Sequence, residues 1–429
     1  MARIIVLGAG LGGISAAYDI KAAVGAGHQV RLVGDGPYFN FTPSNPWVAV
    51  GWREPAKIRV EVREPLQKQG IEFTAVPAQA ILAAENRLQL ADGQVLEYDY
   101  LVITTGPRLA FDEVPGFGPE GGFTQSVCTG PHAETAWTAY KAFLENPGPL
   151  VVGAVQGASC YGPAYEFAMI VDADLRRRKL RDRVPITYVT AEPYIGHMGL
   201  GGVGDSKGLL ESALRQRDIR WVTNAKVSAI EAGQIKLDEL DARGGVAHTH
   251  VLPFHYAMLI PAFTGVDAVR NVAGLTNQRG FVLIDQHQRN PTYPNIFAAG
   301  VCVAIPPVET TPVPTGAPKT GFMIESMVSA IAENLRDELA GKAPQAQATW
   351  NAVCLADMGE TGAAFVALPQ IPPRNVAWVK KGKWVRLAKV AFEKYFLQKV
   401  RTGRTHPVVE TYVLKALGIH SLKPPRAGH

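Results

Sequence analysis

The sequence predicts an α/β protein with two Rossmann-like dinucleotide-binding domains and a C-terminal amphipathic helical region for membrane attachment. Three observations carry that expectation. A glycine-rich strand-turn-helix motif opens the chain, a degraded copy of it recurs near residue 153, and the C-terminus is basic with apolar residues at helical spacing.

In the first motif, Ile4-Ile-Val-Leu runs into Gly8-Ala9-Gly10-Leu-Gly12-Gly13 and then into the helical pattern that begins at Ile14. A GxGxxG between strand and helix places a tight turn at Gly8, lets backbone N–H groups approach a pyrophosphate at Gly10, and allows helix and strand to pack closely at Gly13. An acidic residue for the adenosine ribose is expected about 20 residues on, at the end of the second strand. That strand, His28–Val33, ends at Gly34-Asp35, so Asp35 is the candidate and Gly34 offers backbone contacts.

The second copy reads Gly153-Ala-Val155-Gln-Gly157-Ala158-Ser-Cys160. Val155 stands where the close-approach glycine belongs and Ala158 at the third glycine, so a pyrophosphate is expected to be refused and no NAD(P)H to dock. A plain βα connection, whose glycines only help packing, would also have lost the nucleotide. It would not account for Cys160.

Composition bounds the rest. With 429 residues, 47% hydrophobic and 19% charged, the chain is globular and long enough for two to three domains. No run reaches the roughly 18 to 20 apolar residues of a spanning helix, and the apolar start is the first strand, so neither an integral protein nor a signal peptide is expected. Residues 376–429 hold twelve Lys or Arg against Glu393 and Glu410, a balance of +10 that leaves −5 on the rest. No nucleic-acid recognition motif accompanies that charge, so nucleic acid is not an expected partner.

The same tail spaces Trp384, Leu387, Ala388, Val390, Ala391, Tyr395 and Phe396, then Val409, Tyr412, Val413, Ala416 and Leu417, as helical stripes. Basic amphipathic helices with large aromatics suit an anionic lipid surface, and the competing reading is a helical pair packed on the protein or a second subunit. Further elements are the strand Tyr98–Thr104 ending in Thr105-Gly106-Pro107, a helix Ala164–Leu175, a strand Ile186–Val189, a helix Gly208–Gln216, the return segment Pro294–Gly300, and a helix starting near Lys319-Thr320-Gly321. The expected division is 1–110 with 270–345 as one discontinuous domain, 111–269 as the second, and 346–429 as the C-terminal region.

GxGxxG at 8–13, the turn at 104–106 and Asn295-Ile-Phe-Ala-Ala-Gly300 resemble the flavoprotein disulfide reductase superfamily. The resemblance departs in two places. Val301 replaces the acidic residue that usually follows Gly300, and the CxxxxC redox pair near the N-terminus is missing, the four cysteines being 128, 160, 302 and 354. Ser126-Val-Cys128 with His132, Gly157–Glu166 around Cys160, Glu192–His197, Pro306–Gly321 and Trp350–Cys354 are similar to the membrane-bound, quinone-linked branch, the sulfide:quinone oxidoreductases.

That resemblance implies FAD held by Gly8, Ala9, Gly10, Gly12, Gly13, Gly34, Asp35, Ala78, Thr105, Gly106, Pro107, Gly300, Val301, Lys319, Thr320 and Lys389. It implies a quinone site, of ubiquinone or menaquinone class, with Phe41 and Phe392 about the ring and Gly321 nearby. A peripheral, monotopic place on the cell membrane and assembly with copies of itself follow from the same resemblance, and no metal is expected.

Two-electron oxidation of HS⁻ needs an electrophilic sulfur to attack and a partner thiolate to pass electrons on, which two cysteines beside a flavin provide. The family pattern matches Cys160 and Cys354 to that pair, joined by a sulfur bridge that can extend as polysulfide, and Cys128 to a third cysteine that assists transfer or binds FAD covalently. Cys302 reads as a small buried hydrophobe. His132, His197 and Glu166 are the acid/base candidates, with Glu309 a further one. The competing functions are a type II NADH:quinone oxidoreductase, the flavin subunit of a soluble sulfide dehydrogenase donating to cytochrome c, and a non-enzymatic flavin-binding scaffold.

Overall fold

The computed structural model describes residues 1–403 and 422–423, so the expected second amphipathic stretch from Val409 to Leu417 lies outside the described residues. The strand Arg3–Leu7 is the centre of a five-stranded parallel sheet, flanked by Gln29–Val33 and Tyr100–Ile103, with Glu72–Thr74 and Ile296–Ala298 outermost. Ile4 to Leu7, Leu101 to Ile103 and Ile296 to Ala298 are buried along their length, as an unbroken apolar run in a parallel sheet requires. Helix Leu11–Val24 packs on helix Gly321–Leu339.

Register decides where chemistry can occur. Leu7 pairs with Val33 on one side and with Ile103 on the other, and Ile103 pairs with Ala298. The carboxyl ends of four strands therefore finish level. The turns at Gly8, Gly34, Thr104 and Ala299 converge on one crevice, at the point where strand order reverses.

A second parallel sheet places Leu150–Ala154 between Ile186–Thr190 and Tyr256–Ile260, with Ile219–Val222 outermost. Its βα turn leads into helix Gly162–Arg177, which starts two residues earlier than the apolar pattern suggests because Pro163 occupies its first turn.

The C-terminal region differs from expectation by opening with a sheet. Ala352–Asp357, Gly362–Leu368 and Val376–Gly382 form an antiparallel meander before helix Lys383–Thr402. Each run is six or seven residues, too short for a helix with an apolar face, and Gly359, Gly362 and Pro369 bound them as turn residues do. Among the described residues no helix is long and apolar enough to cross a membrane.

Candidate active site

The convergent turns border a cavity of about 1690 Å³ that runs from the Gly8 turn to Cys160 and Cys354 and on to the C-terminal helix. Gly8, Ala9, Gly10, Gly12, Gly34, Asp35, Ala78, Thr105, Gly106, Pro107, Gly300, Val301, Lys319, Thr320 and Gly321 all line it. Gly8 has φ +111°, and a Cβ there would lie 2.5 Å from the Thr104 carbonyl oxygen, so only glycine makes this turn. Gly10 faces open space, as a close approach to pyrophosphate needs. Gly13 is not a lining residue; a Cβ on it would fall 1.6 Å from the Gly8 carbonyl oxygen, so it acts through helix–strand packing.

The donor set fits FAD. Thr320 Oγ1 is buried without a protein partner at the start of helix Gly321–Leu339, on the cavity wall. Beside it the Lys319 ammonium sits 4.8 Å over the Phe281 ring, and burial lowers its pKa to about 8, with the Cys302 and Cys160 thiols opposing that fall. A developing negative charge on a bound flavin would hold this lysine protonated.

Cys128, Cys160 and Cys354 all border the cavity, and all are free thiols. Cys160 precedes helix Gly162–Arg177, and Cys354 sits in the strand Ala352–Asp357, paired across the sheet with Phe365. Burial pushes Cys160 and Cys354 up to about 12 and Cys128 to about 11. Both other cysteines add to the rise at Cys160, which places the three within electrostatic reach, while Lys319 opposes it. Cys302 is fully buried, its thiol donating to the carbonyl oxygens of Ile103 and Ala299, as a packing residue would.

His132 lines the cavity with Nδ1 buried and unpartnered and Nε2 3.7 Å from Glu120; burial lowers its pKa, against the pull of that carboxylate. Glu166 lines the cavity too, but its carboxylate is engaged by the Lys389 ammonium rather than by Cys160. Burial raises the Glu166 pKa to about 7 despite Lys389, which itself sits 4.8 Å over the Trp47 ring. Lys389, expected at the cofactor, lines the same cavity and is ion-paired there with Glu166.

Two expected residues stand elsewhere. His197 is fully buried outside the cavity, bonded to Glu309. Phe41 is fully buried behind the wall, with its ring 5.7 Å from both Phe392 and Phe396. Rings in contact leave no slot for a quinone between Phe41 and Phe392, because the aromatic cluster fills that space itself. Of the pair only Phe392 faces the cavity, together with Ala391, Tyr395 and Phe396, two turns of one helix that the 3.6-residue spacing from Phe392 points to.

The second glycine-rich turn is filled by the chain itself. The Gly157 N–H donates to the Pro314 carbonyl oxygen at 2.7 Å, and the Gly316 N–H to Ala158 at 2.9 Å. Val155 packs into the apolar cluster with Val151, Val189 and Leu259. Its side chain therefore does not face a nucleotide position; segment 313–316 takes the turn's N–H group instead.

Glu192, which the sequence offers only as part of a motif, is a buried hub that accepts from Tyr165 Oη at 2.7 Å, Thr190 Oγ1 at 2.8 Å and the Met198 N–H at 2.5 Å. Burial raises its pKa to about 7, above the usual 4.5, against those hydrogen bonds. A carboxyl raised on folding adds stability below pH 4.5 that is lost as pH rises through about 7. Thermal unfolding of Glu192→Gln between those pH values should show a flatter pH dependence than wild type; an equal slope would contradict this assignment.

Residues 2–332 match the family described as pyridine nucleotide-disulphide oxidoreductase. The chain is 41% identical over 426 residues to a sulfide-quinone reductase of Aquifex aeolicus, covering 98% of this chain and 96% of that one. It is 27% identical over 321 residues to the mouse mitochondrial sulfide:quinone oxidoreductase, covering 72% and 67%. The crystal structure of the Aquifex aeolicus sulfide:quinone oxidoreductase superposes with a TM-score of 0.94 at 40% identity, over 100% of this chain and 99% of that one. With its intact first turn, plugged second turn and three cysteines on one cavity, the chain belongs to the pyridine nucleotide-disulphide oxidoreductase family, in its sulfide:quinone oxidoreductase branch.

Proposed function

We propose that this chain oxidises sulfide to sulfane sulfur at Cys160 and Cys354 and delivers the electrons to a membrane quinone. The observation that carries the reading is one continuous cavity bordered by both cysteines at one place and by Lys319, Gly321, Phe392 and Tyr395 at others. FAD, when bound, supplies a two-electron relay between thiol site and quinone.

The chain's own residues account for the sulfur steps. In a priming step the Cys160 and Cys354 thiols give two electrons to quinone by way of FAD, release two protons and join as a sulfur bridge; HS⁻ then attacks that bridge, so that one S–S bond forms, one breaks, and a thiolate leaves. Burial makes that thiolate costly, as the raised thiol pKa values state, and a thiolate of high pKa is a strong electron donor. Its two electrons pass on and the bridge closes, one sulfur longer. Per turnover, HS⁻, one proton and quinone give one bridging sulfur and quinol. His132 lines the same cavity as the cysteines, with the exposed Glu120 carboxylate 3.7 Å from its Nε2, and in this reading it is the proton carrier.

Helix Lys383–Thr402 turns its charged residues in two directions. Lys389, Glu393 and Lys399 are buried against Glu166, Ser44 with Arg53, and Glu325, whereas Trp384 and Leu387 are 49% and 71% exposed. With Lys380, Lys381 and Lys383 adjacent, that outer face suits an anionic lipid surface, and the cavity reaches the same face at exposed Ala391. In this reading quinone enters there from lipid. Binding of the Trp384→Glu/Leu387→Glu double variant to vesicles with one-third phosphatidylserine should fall at least about tenfold; unchanged sedimentation with vesicles contradicts the surface assignment.

The direct test is sulfide-dependent reduction of a short-chain quinone by the purified flavoprotein. Turnover supports the proposal, and a flavin-replete protein that fails with sulfide overturns it.

A further inference from the structure

A fully buried histidine and a half-exposed glutamate meet behind the cysteine site. The Gly199 N–H donates to His197 Nδ1 at 3.1 Å. A backbone N–H can only donate, so neutral His197 carries its proton on Nε2 and gives it to Glu309 Oε1 at 2.8 Å. Both ring nitrogens are committed, and the ring does not border the cavity.

Each partner anchors a different piece of the cysteine site. Glu309 begins the segment whose Pro314 carbonyl and Gly316 N–H are bonded to Gly157 and Ala158, in the turn that delivers Cys160. His197 opens the tight loop from which Met198, Leu200 and Val203 reach the cavity wall. The two pieces touch: a Cβ on Gly199, at φ +70°, would lie 2.2 Å from the Gly316 carbonyl oxygen, and one on Gly201 would lie 3.2 Å from Glu309 Oε1. On its far side the loop is held by Arg374, which donates to the Leu200 and Gly202 carbonyls.

We infer that His197 and Glu309 form a latch, a pair of positioning residues that pins segment 309–318 into the second glycine turn and fixes the wall beside Cys160, with no part in proton transfer. The inference rests on sulfide oxidation at Cys160. Glutamine at 309 still accepts from Nε2–H, whereas alanine does not, so the two variants separate a hydrogen-bonded latch from a charge or proton path.

The experiment compares Glu309→Ala, Glu309→Gln and wild-type flavoprotein by amide hydrogen exchange at Gly157 and Gly316 and by rapid-mixing reduction with sulfide. Glu309→Ala should speed exchange at both amides by about tenfold and raise half-saturating sulfide by a similar factor. Its quinone reoxidation rate and the pH profile of sulfide reduction should not move. Glu309→Gln should remain within about twofold of wild type on every readout. Glutamine as damaging as alanine overturns the latch in favour of a charge role, and unchanged exchange in Glu309→Ala overturns it outright. Should the alanine variant not fold, Glu309→Asp, one methylene shorter, replaces it and carries the same expectation in the same direction. Wild-type flavin that sulfide cannot bleach would sink the parent reaction, whereas exchange that ignores residue 309 sinks the latch alone.

Discussion

Cys160→Ala should retain its flavin yet be reduced by sulfide at least about a thousandfold more slowly than wild type. The expectation follows from what the cavity offers. A hydride donor needs only a docking site, but HS⁻ needs an electrophilic sulfur to attack, and Cys160 and Cys354 on the cavity wall become that electrophile once they are joined by a sulfur bridge. Cys354→Ala should be as damaging as Cys160→Ala and the double variant no worse, because residues that act as one unit are not additive. Anaerobic mixing with sulfide, followed at the flavin absorbance, checks it. Reduction of Cys160→Ala at the wild-type rate would remove the thiol mechanism while leaving flavin binding intact.

Measured well above pH 7, where Glu166 is charged beside Lys389, Lys389→Met should destabilise the folded protein by about 3 kcal/mol, the cost of leaving a buried charge without its partner, and by less near pH 7, where Glu166 can take up a proton instead. Lys389 and Glu166 are 3% and 6% exposed, and the bond between them ties the C-terminal helix to the helix that follows Cys160. Glu166 is raised toward neutrality by burial even with Lys389 present, so its charged form depends on that ammonium. Pairing Lys389→Met with Glu166→Gln removes both charges and should recover most of the loss. Urea unfolding of the flavoprotein measures both. A wild-type midpoint in Lys389→Met would show that the pair does not fasten the helix.

Much of the nucleotide half of the site was legible because its constraints are local. Gly8 must be glycine for a backbone reason, and Gly13 for a packing one, and both reasons act within a single strand-turn-helix. The convergence of Thr105, Gly300 and Thr320 on the same cavity needed the landmark motifs, since strand order cannot be read from periodicity. What escaped was decided by partners distant in sequence. His197 looks like an acid/base group until Glu309, 112 residues on, takes its Nε2. Phe41 looks like half of a quinone slot until Phe392 and Phe396 fold against it. Lys389 does line the cavity, but its ion pair with Glu166, 223 residues away, could not be read from the sequence.

Val155 shows the same limit from another side. Its position in the second motif signals a lost nucleotide site, but the side chain goes into the core, and a carbonyl 159 residues later, from Pro314, occupies the turn's N–H at Gly157. Pattern matching identified the turn as altered, and only tertiary packing says what occupies it. The strands between Ala352 and Gly382 were missed because the basic, aromatic stripe that follows them drew the whole region into a helical reading, although the length of each run and the glycines and proline around them are strand signals.

A site that accepts sulfide in place of hydride is distinguished from a hydride-accepting one by paired anaerobic titrations of the purified flavoprotein with sulfide and with NADH. Stoichiometric bleaching of the flavin by sulfide, reversed by a short-chain quinone, with no bleaching by NADH, is the result that the plugged second turn and the cysteine-lined cavity predict. Bleaching by NADH with no response to sulfide would contradict it.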